Sequence, residues 1–300
     1  MHMHIPIRAA LQLSLLPILG ATACDTSERC FPVPSVAARR AEPEWELQGI
    51  TLQGIEGQGR ALEGSKEQAP RLRDLDGFRF VGASVVLHGG RLVADGEEVR
   101  DAELEARSAD GRTIAMRVGL LERPEGDRFA VSIDGSPLCA EGDEGVFVEG
   151  RWDERGAPHF DAAELTYACK SGVIAKCVAW GYAPWEVGAD LHQSCTRLAR
   201  ADYCGDGKPW TLEGTRIDVY DTLGVQQPVH DPEMSFEAAW GPRGALCVAE
   251  ARWLVEDDDG ERVRPSCFAT LPNCTSLTAA TELGAMLAND SAHTPIPACE

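Results

Sequence analysis

The chain has 300 residues, 44% of them hydrophobic, and sets 28 Lys and Arg against 48 Asp and Glu for a formal net charge of -20. That length and apolar content exclude a disordered chain and leave room for two domains of ordinary size. The charge excludes a nucleic-acid partner, because phosphate binding needs clustered Lys and Arg and no basic run of five or more residues occurs.

Residues 1–23, MHMHIPIRAALQLSLLPILGATA, combine Arg8, an apolar run over 9–19 and small residues before Cys24. This pattern predicts an export signal, too short for a membrane span. Ala21, Thr22 and Ala23 form an AxA cleavage site and also an imperfect lipobox, with Ala21 where a large aliphatic residue is usual. Both readings cut before Cys24. Eleven cysteines are an odd number for an exported chain, and lipid attachment at Cys24 leaves ten for disulfides: Cys30, Cys139, Cys169, Cys177, Cys195, Cys204, Cys247, Cys267, Cys274 and Cys299. The expectation is a lipoprotein whose partner is a membrane, reached through the anchor.

Residues 24–66 read as a tether whose second half, LQGITLQGIEGQGRALEGSK, repeats every five residues with Gly49, Gly54, Gly59 and Gly64 in register. Four units make about one coil of a β-helix, too few to bury a core, so the repeat is read as a linker. Over 67–167 short β-type runs alternate with Asp95-Gly96, Asp110-Gly111 and Asp134-Gly135, dipeptides that supply positive φ in hairpins. This region is predicted to be a small antiparallel β-domain. Its Cys139 needs a partner outside it, Cys30 or a cysteine of the C-terminal half. His88 and His159 have no nearby ligand pair and are read as structural or exposed.

Residues 168–300 hold eight of the eleven cysteines and five of the seven tryptophans. Short strands are predicted in GVIAKCVAWG, TRIDVYD, MSFEAAWG, ALCVAEARWLVE and ERVRPSCF. VEDDDGERV is read as a hairpin tip turning at Asp259-Gly260, since it lacks the alternating oxygen ligands of a calcium loop. One helix is predicted over 190–203. Asp190 caps it, Leu191, Cys195, Leu198 and Ala199 make one apolar stripe, and Gly205 stops it.

AKCVAWGYAPW (175–185), LHQSCTRLARADYCGDG (191–207), GTRIDVYD (214–221), FEAAWG (236–241) and GALCV (244–248) together resemble the ADYC-domain family. The resemblance runs over roughly 169–274. It implies an exported, often lipoprotein-like protein of Gram-negative bacteria, chiefly myxobacteria, and it implies no activity.

Three uses compete for these residues. An enzymatic one takes His192 as base, Asp202 as its orienting carboxylate, and Cys204, Ser194 or Tyr203 as the reacting group. A straight helix would hold His192 and Asp202 ~15 Å apart, and no GxSxG, HExxH or CxxC occurs. A structural one has Cys195 and Cys204 tie the helix to different strands through Cys177, Cys169 or Cys247, and has Asp202 and Asp206 accept backbone amides beside glycine. The segment CFATLPNC predicts a local Cys267–Cys274 loop. A third uses aromatic side chains to hold a ligand: Trp180 and Trp240 fall in apolar contexts and are expected in the core, whereas Trp185 and Trp210 follow prolines and are the surface candidates.

The sequence therefore predicts a mainly β fold with one short helix, in two small antiparallel β-rich domains, the second stapled by disulfides. Its predicted role is a non-catalytic binding or structural module of the cell envelope, with a glycan or protein as ligand and with no cofactor or metal. The alternative is an envelope hydrolase of glycan or peptide using His192, Asp202 and Asp206.

Overall fold

The computed structural model describes residues 50–51 and 75–292, apart from 83, 109, 124–126, 140–143, 154, 162, 212–214 and 257–261. The leader, Cys24, Cys30, Cys299 and all of the five-residue repeat except Ile50 and Thr51 lie outside the described residues.

Six antiparallel strands close into a barrel: β1 (Leu75–Phe80), β2 (Asp101–Arg107), β3 (Thr113–Leu121), β4 (Arg128–Ile133), β5 (Gly145–Glu149) and β6 (Leu165–Cys169). The ladder runs β5-β6-β1-β2-β3-β4, and β5 returns to β4 where Gly145 faces Phe129. In β3 the period-two pattern buries Met116 and Val118 and leaves Ala115 and Arg117 in solvent. A barrel this narrow is filled by its own side chains. Phe147 stands 5.0 Å from Phe129, 5.0 Å from Tyr167 and 6.1 Å from Phe78, measured between ring centroids. The seam requires Gly145, because a Cβ there would lie 2.5 Å from the Tyr167 ring and 2.5 Å from the Ala168 carbonyl. Across that seam Tyr167 Oη donates to the Phe129 carbonyl at 2.7 Å.

The Asp-Gly turns are hairpin turns as predicted. Asp95 and Gly96 have φ of 50° and 89°, and Asp134 and Gly135 have 50° and 77°. Gly111, with φ 85°, turns β2 into β3. A three-stranded meander, Val85–His88, Arg91–Ala94 and Glu97–Glu98, adds Leu92 to the barrel's hydrophobic core.

The second sheet has the order β7-β10-β8-β9, formed by β7 (Arg216–Asp221), β8 (Ser235–Gly241), β9 (Gly244–Val248) and β10 (Leu287–Ser291). Ile50–Thr51 pairs along the outer edge of β7. A helical layer accompanies this sheet: α1 (Val173–Ala179), α2 (Pro184–Val187) and α3 (Ala189–Arg200). A fourth helix, α4 (Leu277–Ala280), lies on the sheet's other face with Ala239, Cys247 and Ala288.

The chain is mainly β, as expected, but the described residues hold four α-helices rather than one. GVIAKCVAWG, predicted as a strand, forms α1. A short apolar run fits either period, and Val173, Ile174, Cys177 and Val178 also repeat at helical spacing. ERVRPSCF is likewise not one strand: Arg262–Val263 pairs with Val255–Glu256, and Ser266–Ala269 after Pro265 is a 3-10 turn. The flanks of VEDDDGERV thus pair antiparallel, while its Asp259-Gly260 turn lies outside the described residues.

Helix α3 falls near the predicted span, but Gly188 rather than Asp190 is its N-cap, with no side-chain capping bond, and the left-handed Ala201 ends it four residues before Gly205. It has no solvent face, for every side chain from 191 to 200 is buried. Its apolar side joins one core with Ile217, Val219, Trp240 and Leu287 of the sheet and with Val146, Val148 and Ala168 on the outer wall of the barrel. Much of its polar side is satisfied locally. Gln193 accepts from Trp152 Nε1 at 2.8 Å and donates to the Gly156 carbonyl at 2.7 Å, and Arg197 donates to the Arg155 carbonyl at 2.6 Å.

Four disulfides lie among the described residues: Cys139–Cys169, Cys177–Cys195, Cys204–Cys267 and Cys247–Cys274. Cys139 was expected to pair outside the β-domain, but its partner Cys169 ends barrel strand β6, so that bridge lies within the barrel. Cys195 takes Cys177, one of its expected partners, on helix α1 rather than on a strand, and Cys204 takes Cys267, which was not among them. The expected Cys267–Cys274 loop does not form. A parallel bridge between Val248 and Asn273 sets Cys274 beside Cys247, which leaves Cys267 for Cys204. Proximity in sequence was a poor guide because Pro265 and the 3-10 turn carry Cys267 away from that bridge.

Candidate functional site

The end of α3 is where the sequence concentrates its reactive side chains. Ala201 adopts the left-handed conformation, φ 51°, and its amide bonds the Leu198 carbonyl at 2.9 Å while the Asp202 amide reaches Arg197 at 2.9 Å. These are the bonds of a helix C-cap. Asp202 is fully buried, and its Oδ2 accepts from Arg197 and from the Gly207 amide at 3.1 Å. Burial pushes its carboxyl above the usual range against the pull of Arg197 and Arg200.

Tyr203 enters the core between α3 and the sheet. Its Oη donates to Glu237 Oε1 at 2.7 Å and accepts the Arg252 amide N–H at 2.7 Å. Its ring stacks on Trp240 at 5.1 Å and meets Phe268 edge-on at 5.0 Å. Arg252 answers Glu237 with Nε at 2.8 Å and Nη2 at 3.0 Å, and it also donates to the Leu198 carbonyl at 2.9 Å, closing the C-terminus of α3. Asn289 completes the network, donating to Glu237 Oε2 at 2.7 Å and accepting from Trp240 Nε1 at 2.8 Å. Burial beside Glu237 holds the Tyr203 phenol well above its ordinary pKa, so it is a neutral donor.

Cys204 is bonded to Cys267, and the next residue must be glycine: a Cβ on Gly205, at φ 66°, would lie 2.0 Å from the Arg243 carbonyl. The β8–β9 turn presses equally close from its side, since a Cβ on Gly244 would meet the Tyr203 carbonyl at 2.5 Å. Ala245 donates its amide to that carbonyl at 2.9 Å. Asp206 Oδ1 accepts the Lys208 amide at 3.0 Å. Both carboxylates of the motif are therefore turned onto backbone amides.

The residues of the enzymatic reading do not converge. His192 is fully buried, its Nδ1 bonds the Tyr182 carbonyl at 2.7 Å, and Nε2 has no hydrogen-bond partner among the described residues. Desolvation lowers its pKa to about 4, so the ring is neutral and enclosed. Ser194 Oγ donates to the Asp190 carbonyl at 2.7 Å, a bond within the helix. Trp180 and Trp240 are core residues as expected, but Trp210, a surface candidate, is 7% exposed and packs in the same core. Its amide bonds the Arg200 carbonyl, which draws it under the helix end despite the preceding proline. Trp185 is 36% exposed and lies against the backbone of Gly90. His88 is exposed, and so is His159, whose Nε2 lies 3.8 Å from Asp153. Among the described residues no group of three or more His, Cys, Asp or Glu is placed to hold a metal ion.

Glu237, Arg252 and Asn289 escaped the sequence reading. The available signal was a charge within an apolar run: Glu237 interrupts SFEAAWG, and Arg252 interrupts ALCVAEARWLVE, which was predicted as one strand but leaves the sheet after Val248 and holds Arg252 in the following loop. A family model described as the ADYC domain matches residues 94–254, more than half of the chain.

The chain belongs to the ADYC-domain family.

The match takes in five of the six barrel strands, α1 to α3, and β7, β8 and β9, a wider span than the C-terminal motifs that carry the resemblance. No curated protein and no solved structure matches the chain. Within this ADYC domain each letter of the signature has a mechanical use. Ala201 ends the helix, Asp202 closes the turn, Tyr203 locks helix to sheet and Cys204 carries a covalent bridge.

Proposed function

We propose that this ADYC-domain chain is an exported, lipid-anchored protein of the bacterial cell envelope, serving as a non-catalytic binding or structural module. Four disulfides suit an oxidising, extracellular-type compartment. No helix among the described residues is long and apolar enough to cross a membrane, and the proposed attachment is through lipid on Cys24. The observation that carries the non-catalytic reading is the engagement of the motif's side chains within the fold: Asp202, Tyr203 and His192 are buried, and Asp206 holds a backbone amide. The ligand class is an envelope glycan or protein.

The test is expression of the full chain in a Gram-negative host, with fractionation and intact-mass measurement beside a Cys24→Ser variant. Acylated wild-type protein in the membranes and unacylated variant in the soluble fraction are the expected results. An unmodified Cys24 would overturn the anchor. Incubation of the purified chain with isolated envelope glycan and peptides should release no fragments, whereas release that disappears in His192→Gln or Asp202→Asn would overturn the non-catalytic role.

A further inference from the structure

The four bridges among the described residues differ in how far their cysteines are covered. Cys139, Cys169, Cys177, Cys195, Cys247 and Cys274 are 8%, 2%, 0%, 0%, 0% and 6% exposed, so three disulfides join buried residues. Cys204 and Cys267 are both only partly covered, where the turn after α3 meets the 3-10 turn Ser266–Ala269. The backbone amide of Cys267 donates to Cys204 Sγ at 3.3 Å, and Ser266 Oγ lies 3.9 Å from the same sulfur. A thiolate developing on Cys204 would therefore meet a fixed N–H donor and a hydroxyl. Donors to a departing sulfur lower its basicity and make it the better leaving group.

We propose that Cys204–Cys267 is a site of thiol–disulfide exchange with an external dithiol, and that the signature cysteine of the domain is its leaving sulfur. One thiolate of the dithiol attacks Cys267 Sγ, forming a mixed disulfide as the Cys204–Cys267 bond breaks, and Cys204 departs as a thiolate that takes up a proton. The second thiol of the reagent then loses its proton and attacks its own sulfur in the mixed disulfide, releasing Cys267 as a thiol. Two electrons pass from the dithiol, now a disulfide, to the bridge. An oxidised partner of the same class runs the steps backwards. Opening the bridge removes the covalent hold on the segment whose Phe268 covers the edge of Tyr203. The proposal goes beyond the module's binding or structural role and rests on the exposure and hydrogen bonding of these two cysteines alone.

The test uses the full chain under native conditions. Free thiols are first blocked with one alkylating reagent. Dithiothreitol is then added at neutral pH, samples are quenched over time with an isotopically distinct reagent, and each cysteine is mapped by peptide mass. Cys204 and Cys267 should be labelled at least about tenfold faster than the other six bridged cysteines, at a rate first order in dithiol and unchanged by low urea. Simultaneous opening of all four bridges, earlier opening of another, or a rate that rises with urea as global unfolding does would each overturn the proposal.

Discussion

At the residue scale, Tyr203 joins three groups that have no solvent to fall back on. Tyr203→Phe retains the stack on Trp240 but leaves the Arg252 amide without its acceptor and removes a donor from Glu237. A buried polar group deprived of its partner costs about 1–3 kcal/mol, and urea denaturation should report a loss of that size with an unchanged m value. His192 makes a pH-dependent prediction. Its pKa in the fold, about 4, lies below the ordinary value of 6.5, so the unfolded chain takes up a proton that the folded chain refuses. Its effect on stability is absent above pH 6.5 and becomes destabilising as pH falls towards 4, reaching roughly 3 kcal/mol there. The stability difference between pH 7 and pH 4.5 should shrink in His192→Gln; an identical pH profile would refute the assignment. The backbone bonds of Asp202 and Asp206 were legible in sequence because Asp beside Gly favours such turns. Glu237 and Arg252 were not, because their pairing joins residues 15 apart, one on β8 and the other in the loop after β9.

At the element scale, strand periodicity and Asp-Gly turns disclosed the barrel's hairpins but not its closure, where β4 and β5 share a single ladder pair, Gly145 with Phe129. Gly145→Ala should force that seam apart, with a loss of at least about 2 kcal/mol, since the new methyl would press on both a ring and a carbonyl. Gly119→Ala is the control in the same barrel: its Cβ would meet only the Ala130 carbonyl at 3.9 Å, and a neutral or slightly stabilising effect is expected. Thermal unfolding of the two variants distinguishes closure from a general intolerance of alanine. The helix α1 was misread because a seven-residue apolar segment carries no decisive period. Tertiary packing made the choice, by placing Cys177 against Cys195 of α3. Replacing both cysteines by alanine frees a loop with a sequence separation of 18 and should lower stability by about 3 kcal/mol, read from the urea midpoint.

At the scale of the whole molecule, barrel and sheet share a helical layer, with Val146 and Val148 of β5 in the same core as Leu198 and Trp240. Strand β5 alternates Phe147 into the barrel with these two valines out to the helices, so neither half keeps its buried surface if the other unfolds. Urea unfolding followed by near-UV circular dichroism and by far-UV signal should therefore give coincident transitions. Two separated midpoints would show that the halves unfold independently. The sequence by itself determined the fold class, the hairpin turns, the position of α3 and the bonding of Asp202 and Asp206 to backbone amides, because each depends on residues within one turn or one strand of each other. Only the tertiary structure decided the barrel's closure, the identity of α1, the partners of Cys204 and Cys247 and the buried network around Tyr203. Those features arise where segments far apart in the chain meet, and there the available volume and the need to pair every buried polar group choose among conformations that local sequence leaves nearly equal in energy.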